Sequence, residues 1–242
     1  MAGHAAPNIV EDGLIFYVDA ANPRSYPGSG TTSTDLIDNV EGTLNSATFQ
    51  NINAGVIDFD GVDDYINYGD SNKFSFGDGA NDSPFSLNVW VNWDALDNYT
   101  CLISKDGGSG LREWALLENG GDKIRIFIKN QGGNNQQSID STTTYSTGQW
   151  YNITATYDGR GGNTAYQGLS LYTNGNLEVV SANQASTYAA MSNTSANLEI
   201  GRYYGDNLYC INAQIGPTQI YNKELSAQEV LQNYNALKGR FN

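Results

Sequence analysis

The stretch that decides the fold is FSLNVWVNW, which runs from Phe85 to Trp93. On a period of two residues, five large apolar side chains fall on one side, while polar side chains and Trp90 fall on the other. The apolar side consists of Phe85, Leu87, Val89, Val91 and Trp93. A register slip of one residue would move all five into water, so the pairing must be fixed. The pattern predicts a central β-strand with one face in a core.

The rest of the chain has the composition of a β-rich protein. Its 242 residues include 27 glycines, together with abundant Asn, Ser and Thr, which suits frequent turns better than long helices. β-sandwiches of this length commonly form one unit, and no linker is evident. We therefore expect a single domain over residues 13–242, preceded by an N-terminal tail over residues 1–12.

The charge balance excludes some partners. Twelve basic and 26 acidic residues give a net charge of −14, which would repel nucleic-acid phosphates and anionic lipid surfaces. No apolar run reaches the roughly 18 residues of a membrane helix, and MAGHAAPNIV lacks the features of a secretory signal. We expect no nucleic-acid partner, no membrane insertion and two free, partly buried thiols at Cys101 and Cys210.

Short segments with strand-like alternation follow Trp93 at near-regular spacing and are separated by turn sequences such as Asp158-Gly159. They are Cys101 to Ser104, Glu113 to Leu117, Lys123 to Lys129, Trp150 to Tyr157, Leu169 to Thr173 and Asn197 to Gly201. Frequent turns between short strands predict an all-β fold, a jelly-roll β-sandwich of two antiparallel sheets.

One helix is predicted, at the C-terminus. Ser226 with Glu229 three residues later forms a capping-box pattern, and Val230, Tyr234 and Leu237 share one face. We expect this short helix to pack on the sandwich as a lid.

Catalytic patterns are absent from the sequence. A nucleophilic triad needs a histidine base, but the sole histidine, His4, lies in the expected tail. None of the eight glutamates begins the E-x-D-x-x-E pattern of sandwich glucanases, whose chemistry needs two carboxylates. We therefore predict a protein that is not an enzyme.

An acidic cluster occupies the segment VIDFDGVDDYINY, residues 56–68, where Asp-Gly between apolar segments predicts a β-hairpin. Asp60, Asp63 and Asp64, with Asp58 nearby, could supply some of the six to eight oxygen ligands that calcium takes. The spacing is not that of an EF-hand. Two interpretations stay open here: a calcium site, or a solvated turn whose aspartates bond to backbone amides.

A second candidate site is RYYGDNLY, residues 202–209. Aromatic rings can cover the apolar face of a sugar, while Asn and Asp bind its hydroxyls. The candidate ligand-binding residues are Tyr203, Tyr204, Asp206, Asn207, Tyr209 and Trp114, with Tyr99 as a further neighbour. The alternative is that some of these tyrosines pack beneath a loop.

Several stretches together resemble the laminin G-like branch of the concanavalin A-like lectin/glucanase superfamily. They are VIDFDGVDDYINY, FSLNVWVNW, LISK, TGQWYNITATYDG, GLSLYTNG, NLEIGRYYG and AQIGPTQIYNKELSAQEVLQNY. The segments GLIFYVDAANPRSYPGSGTT and EVLQNYNALKGRF further resemble laminin G-like domains of virion proteins of tailed bacteriophages. The resemblance implies a jelly roll that recognises a partner without catalysis, sometimes with calcium near its rim.

Two positions depart from the family pattern. Gly216-Pro217 stands where relatives often carry aspartates, and Ser33 stands where tryptophan is common. The first weakens the case for calcium, and the second implies a changed surface near the N-terminal loop.

The leading hypothesis is a lectin-like adhesion domain on a virion surface, or otherwise extracellular, that binds glycans. The second is a structural capsid-decoration or tail-fibre protein that can assemble as a homo-oligomer and contacts another virion protein without a sugar site. A divergent glycan hydrolase is the remote third.

Overall fold

The computed structural model describes residues 7–97, 99–108, 110–131, 135–184, 187–203, 205 and 207–241. Over these residues, seventeen strands form two antiparallel sheets, accompanied by one α-helix. The strands are β1 (Leu14–Val18), β2 (Thr32–Thr34), β3 (Glu41–Asn45), β4 (Thr48–Gln50), β5 (Val56–Asp60), β6 (Tyr65–Asn67), β7 (Phe85–Trp93), β8 (Cys101–Asp106), β9 (Arg112–Asn119), β10 (Lys123–Lys129), β11 (Gln136–Ser141), β12 (Trp150–Tyr157), β13 (Leu169–Thr173), β14 (Asn176–Leu177), β15 (Val180–Gln184), β16 (Glu199–Ile200) and β17 (Asn212–Tyr221). The helix α1 is Ala227–Leu237, and 3₁₀ turns lie at Asn72–Phe74, Gly162–Gly168, Asn207–Tyr209 and Lys238–Arg240.

The two sheets face each other as a jelly-roll sandwich, which confirms the predicted fold class. The eight-stranded sheet has the order β14-β13-β12-β7-β17-β5-β4, with β1 also paired to β17. The nine-stranded sheet has the order β15-β11-β10-β9-β8-β16-β6-β3-β2. A continuous core of buried apolar side chains from both sheets fills the space between them.

Strand β7 has the predicted bounds and a central position, between β12 and β17. Its five inward apolar side chains are each at most 1% exposed. The opposite face of this strand is covered as well, because Ser86, Asn88 and Trp90 are also buried.

The C-terminal helix covers that opposite face of the eight-stranded sheet. Ser226 caps α1, and its reciprocal hydrogen bonds with Glu229 form the predicted capping box. Val230 is fully buried, and both Tyr234 and Leu237 pack against the cluster that contains Trp90. The expected lid is confirmed. None of the helices in the described part of the chain has the length and apolar character that crossing a membrane requires.

The prediction of a hairpin at residues 56–68 is wrong. Strand β5 pairs with β4 and β17 in the eight-stranded sheet, whereas β6 pairs with β3 and β16 in the nine-stranded sheet. The acidic turn between them therefore crosses from one sheet to the other, at the rim of the sandwich.

The described part of the expected tail, residues 7–12, contacts the end of the chain. The backbone N–H of Val10 donates to Oδ1 of Asn233 at 2.8 Å, and the Tyr221 hydroxyl donates to the Val10 carbonyl at 3.1 Å. Asp12 pairs with Lys223 at 2.7 Å. His4 lies outside the described residues.

Candidate functional site

The described residues of the segment RYYGDNLY lie on the outer face of the nine-stranded sheet, just after β16. Tyr203 is only 9% exposed and packs with Tyr209 at a centroid distance of 4.5 Å and with Phe127 at 6.2 Å. For Tyr203 the packing interpretation holds, since its ring joins an apolar cluster on the sheet rather than projecting into solvent. Tyr209 is half-buried and Asn207 is exposed, while Tyr204 and Asp206 lie outside the described residues.

Arg202 is the charged centre of this segment. Its Nη2 and Nε donate to the two carboxylate oxygens of Glu199 at 2.6 and 3.0 Å, and its Nη1 donates to Oδ1 of Asn207 at 3.2 Å. The guanidinium also stacks on the Tyr65 ring, with Cζ 3.3 Å from the ring centroid. This bidentate, stacked arrangement holds Arg202 in one orientation.

A turn and a hydrogen bond place Arg202 there. Gly201 has a φ of +90°, and an added Cβ would come within 2.7 Å of the Phe59 ring, so glycine is required. The Ser104 hydroxyl then donates to the carbonyl of Arg202 at 2.8 Å, which fixes the backbone to β8.

Beside Arg202 the outer face carries a cavity of about 220 Å³, which we name the Asp106–Arg202 groove. Most of its wall is polar. It is lined by Asp106, Gly107, Leu111, Ser195, Ala196, Asn197, Glu199, Arg202 and Gly205. Ser195 and Asn197 are exposed at its mouth, whereas Asp106 is only 2% exposed.

A β-bulge at the end of β8 sets the direction of Asp106. Lys105 pairs with Trp114 and Asp106 with Arg112, which leaves Glu113 as the extra residue of β9. Lys105 points into the molecule and meets Glu113 at 3.3 Å, with both side chains fully buried. Asp106 points to the groove instead.

The buried Lys105 and Glu113 also hold the opposite wall of the groove. Nζ of Lys105 donates to the carbonyl of Ala196 at 2.6 Å, and Oε1 of Glu113 accepts from the backbone N–H of Thr194 at 2.9 Å. Burial raises the pKa of Glu113, and the charge of Lys105 opposes that rise. The segment that carries Ser195 is therefore fixed on both sides.

Trp114 does not belong to this site, which corrects its placement among the ligand-binding candidates. It is fully buried, packs with Phe76 and Phe85 in the core, and donates from Nε1 to the Phe74 carbonyl at 2.9 Å. Its indole cannot reach a ligand. Tyr99, by contrast, is 44% exposed.

Sequence reasoning missed Asp106 and Glu199 as residues of a possible site. Asp106 lies two residues beyond the predicted strand Cys101 to Ser104, but the bulge that turns it outward depends on pairing with β9 and has no signal in the residue pattern. Glu199 lies in a predicted strand, and only its partnership with Arg202 three residues later could have drawn attention to it.

The acidic turn brings its three predicted metal ligands together. One carboxylate oxygen from each of Asp60, Asp63 and Asp64 lies within 4.8 Å of the others. Oδ2 of Asp64 accepts from the Asp60 backbone N–H at 2.9 Å, and Oδ1 of Asp60 accepts from that of Val62 at 2.8 Å. Burial and neighbouring carboxylates raise the pKa of Asp64. The oxygen donors fit calcium chemically but provide only part of its coordination, so the calcium assignment stays a prediction.

The two cysteines are free and both are buried. Burial raises the pKa of Cys210 to about 11 and raises that of Cys101 as well. Neither thiol is therefore ionised near neutral pH, and neither has the low pKa of a reactive cysteine.

Comparison with solved structures identifies similar folds. The receptor-binding domain of botulinum neurotoxin type G has a TM-score of 0.59 and 19% identity, over 92% of this chain and 51% of that one. Domain 4 of the extracellular arabinanase AbnA of Geobacillus stearothermophilus, solved with arabinotriose, has a TM-score of 0.64 and 16% identity, over 93% and 100%. Trypanosoma rangeli sialidase, solved with sialic acid, has a TM-score of 0.64 and 16% identity, over 94% and 33%.

These likenesses establish the fold alone, and this chain spans about half of the neurotoxin domain and a third of the sialidase. A search of curated proteins finds no significant match. A family model does match, over residues 60–231, which is more than half of the chain. The chain therefore belongs to the laminin G-like family Laminin_G_3 of the concanavalin A-like lectin/glucanases superfamily.

Proposed function

We propose that this protein is a non-catalytic glycan-recognition module and that it holds its ligand in the Asp106–Arg202 groove. The observation that carries the proposal is the groove itself. It is a pre-formed cavity on an outer sheet face, lined by carboxylate, amide and hydroxyl groups from fixed segments. Such groups are what a hydroxyl-rich ligand needs for orientation.

The wider setting agrees with this proposal. The chain belongs to a superfamily named for lectins, and the similar fold of AbnA domain 4 was solved with arabinotriose. The half-buried Tyr209 and the Tyr65 ring stacked with Arg202 add flat surfaces close to the groove.

A steric block tests the assignment of the groove. Asn197→Trp places a large side chain at the exposed mouth of the groove, and Thr147→Trp places the same side chain at an exposed position outside it. On a glycan array, the wild-type chain and Thr147→Trp should bind the same glycans, and Asn197→Trp should lose them. Equal binding by all three proteins would place the ligand elsewhere, and no binding by the wild-type chain would refute glycan recognition.

The geometry of the carboxylates favours binding over hydrolysis. Glu199 and Asp106 both line the groove, but both oxygens of Glu199 accept from Arg202, so only Asp106 keeps an oxygen without a partner among the described residues, whereas glycoside hydrolysis needs two carboxylates. We expect no release of reducing sugar from any glycan that binds. Release that is abolished by Glu199→Gln or Asp106→Asn would overturn the non-catalytic assignment.

The proposed location on a bacteriophage particle rests on the resemblance of the N- and C-terminal segments to virion proteins. Labelled antibodies against this chain should decorate the surface of particles from a producing culture. Particles that lack the chain would contradict this location without affecting the groove. A fixed copy number together with a negative glycan array would favour the structural, capsid-decoration alternative.

A further inference from the structure

We propose, resting on the proposed function, that the Asp106–Arg202 groove selects neutral glycans over anionic ones, with a carboxylate oxygen of Asp106 accepting a hydrogen bond from a ligand hydroxyl.

Asp106 offers one oxygen that the protein leaves unused. Its Oδ1 accepts from the backbone N–H of Gly108 at 2.9 Å, whereas its buried Oδ2 has no hydrogen-bond partner among the residues that the structure describes. An unsatisfied buried acceptor is costly, and native structures rarely retain one without a reason. A hydroxyl that enters the groove would supply the missing donor.

The surroundings of Asp106 make its charged carboxyl unfavourable in the ligand-free protein. Burial raises the pKa of the Asp106 carboxyl, and the facing charges of Lys129 and Arg112 only partly oppose this. The bulge beside Glu113 nevertheless turns this side chain toward the cavity rather than into solvent. A structural role alone would be served equally well by an asparagine, which keeps Oδ1 for Gly108.

The cation that lines the groove is already engaged. All three nitrogens of Arg202 donate within the protein, two of them to Glu199 and one to Asn207. Among the described residues of the lining, no other side chain is cationic. A sialic or uronic acid carboxylate in the groove would therefore meet two negative side chains of the lining, while Lys129 and Arg112, which face Asp106, are not part of that lining; the resulting repulsion provides the selectivity.

The first measurement uses the wild-type chain on an array whose neutral glycans each have a counterpart with an added sialic or uronic acid. We expect neutral members to bind at least about 10-fold more tightly, as the loss of a charge-assisted hydrogen bond with added repulsion implies. Equal or tighter binding of the anionic counterparts would overturn the inference and leave glycan recognition standing. If no glycan binds, the proposed function fails, and this selectivity fails with it.

The second measurement titrates the tightest neutral oligosaccharide into the wild-type chain, Asp106→Asn and Thr147→Trp. Asp106→Asn should weaken binding about 10-fold or more while leaving the thermal midpoint equal or higher, because it removes a buried charge. Thr147→Trp should match the wild-type chain. Unchanged affinity in a folded Asp106→Asn protein, or a lowered midpoint at unchanged affinity, would show that Asp106 has only a structural role.

Discussion

The outer faces of the two sheets are built in opposite ways. On the eight-stranded sheet, Trp90 is 1% exposed and stacks between Phe241, at 4.4 Å, and Tyr234, at 5.7 Å. On the nine-stranded sheet, the outer face carries charged side chains, including Asp106 and Lys129, and it contains the groove. The C-terminal helix covers the first face and not the second.

Polar groups on the two faces differ in what surrounds them. Under the helix, Asn88 is fully buried, donates to Gln219 at 2.7 Å, and accepts from Asn152 at 2.9 Å and from Thr154 at 2.6 Å. Buried polar atoms without a partner among the described residues occur on both faces: Nε1 of Trp90, Oδ1 of Asn152 and Nε2 of Gln219 beneath the helix, and Oδ2 of Asp106 on the open face. The difference lies in their surroundings, because Asp106 lines a cavity whereas Trp90 lies between packed rings. Substitutions on the covered face should therefore affect stability, and substitutions in the groove should affect the proposed binding.

The largest effect should come from opening the covered face. Trp90→Ala removes a fully buried indole from between two rings and should lower the free energy of unfolding by about 3–5 kcal/mol. Trp90→Phe keeps a ring in the stack and should cost clearly less. Urea denaturation measures both, with Val62→Ala, 65% exposed in the acidic turn, as the control. A loss near zero for Trp90→Ala would mean that the helix does not seal this face in solution.

A smaller loss should follow from breaking the polar network beneath the helix. Asn88→Ala leaves Asn152 and Gln219 buried without their shared partner, which should cost about 1–3 kcal/mol. The same urea titration measures it. If the variant is as stable as the wild-type chain, the network contributes nothing to stability, and the covered face depends on its apolar packing alone.

The sequence predicted the covered face better than the open one, because alternation in β7 and the caps of α1 are local signals. The orientation of β9 was harder to predict. The sequence EWALL is apolar on both sides, so an alternation with a period of two does not indicate which way Trp114 points. The bulge at Glu113 could not be predicted either, because it arises only when β8 and β9 pair.

Long-range topology explains the other two errors of the sequence-based prediction, the hairpin at residues 56–68 and the missing strand β17. An Asp-Gly turn at Asp60-Gly61 is typical of a hairpin, but here the same residues change sheets, and only the partners of β5 and β6 distinguish the two. Strand β17 was not predicted because Gly216-Pro217 interrupts it. The structure accommodates the pair at a register shift between Ile215 and Thr218.

On the open face, by contrast, replacing a buried charged residue should raise the stability of the folded chain. Burial lowers the pKa of Lys129 from its ordinary 10.5 to about 8, and the negative charge of Asp106 only partly compensates. The protonated lysine is therefore disfavoured in the folded state, so stability is reduced below pH 8 and rises between pH 8 and 10.5. Lys129→Met should raise stability at pH 7 by about 1–2 kcal/mol and flatten that rise. Lys123→Met, on the same strand, removes equal charge as the control; a matching gain there would assign the effect to net charge.

The smallest effect concerns the acidic turn, which joins β5 of one sheet to β6 of the other and so belongs to both halves of the comparison. Calcium bound by Asp60, Asp63 and Asp64 would stabilise the folded chain by mass action, and millimolar calcium should raise the thermal midpoint by about 2–4 °C. Asp63→Asn should abolish this rise, whereas Asp97→Asn, an exposed aspartate outside the cluster, should retain it. The same rise in both variants would show calcium acting elsewhere. No rise in the wild-type chain would leave the turn as a solvated one, in which Asp60 and Asp64 serve only to bond backbone amides.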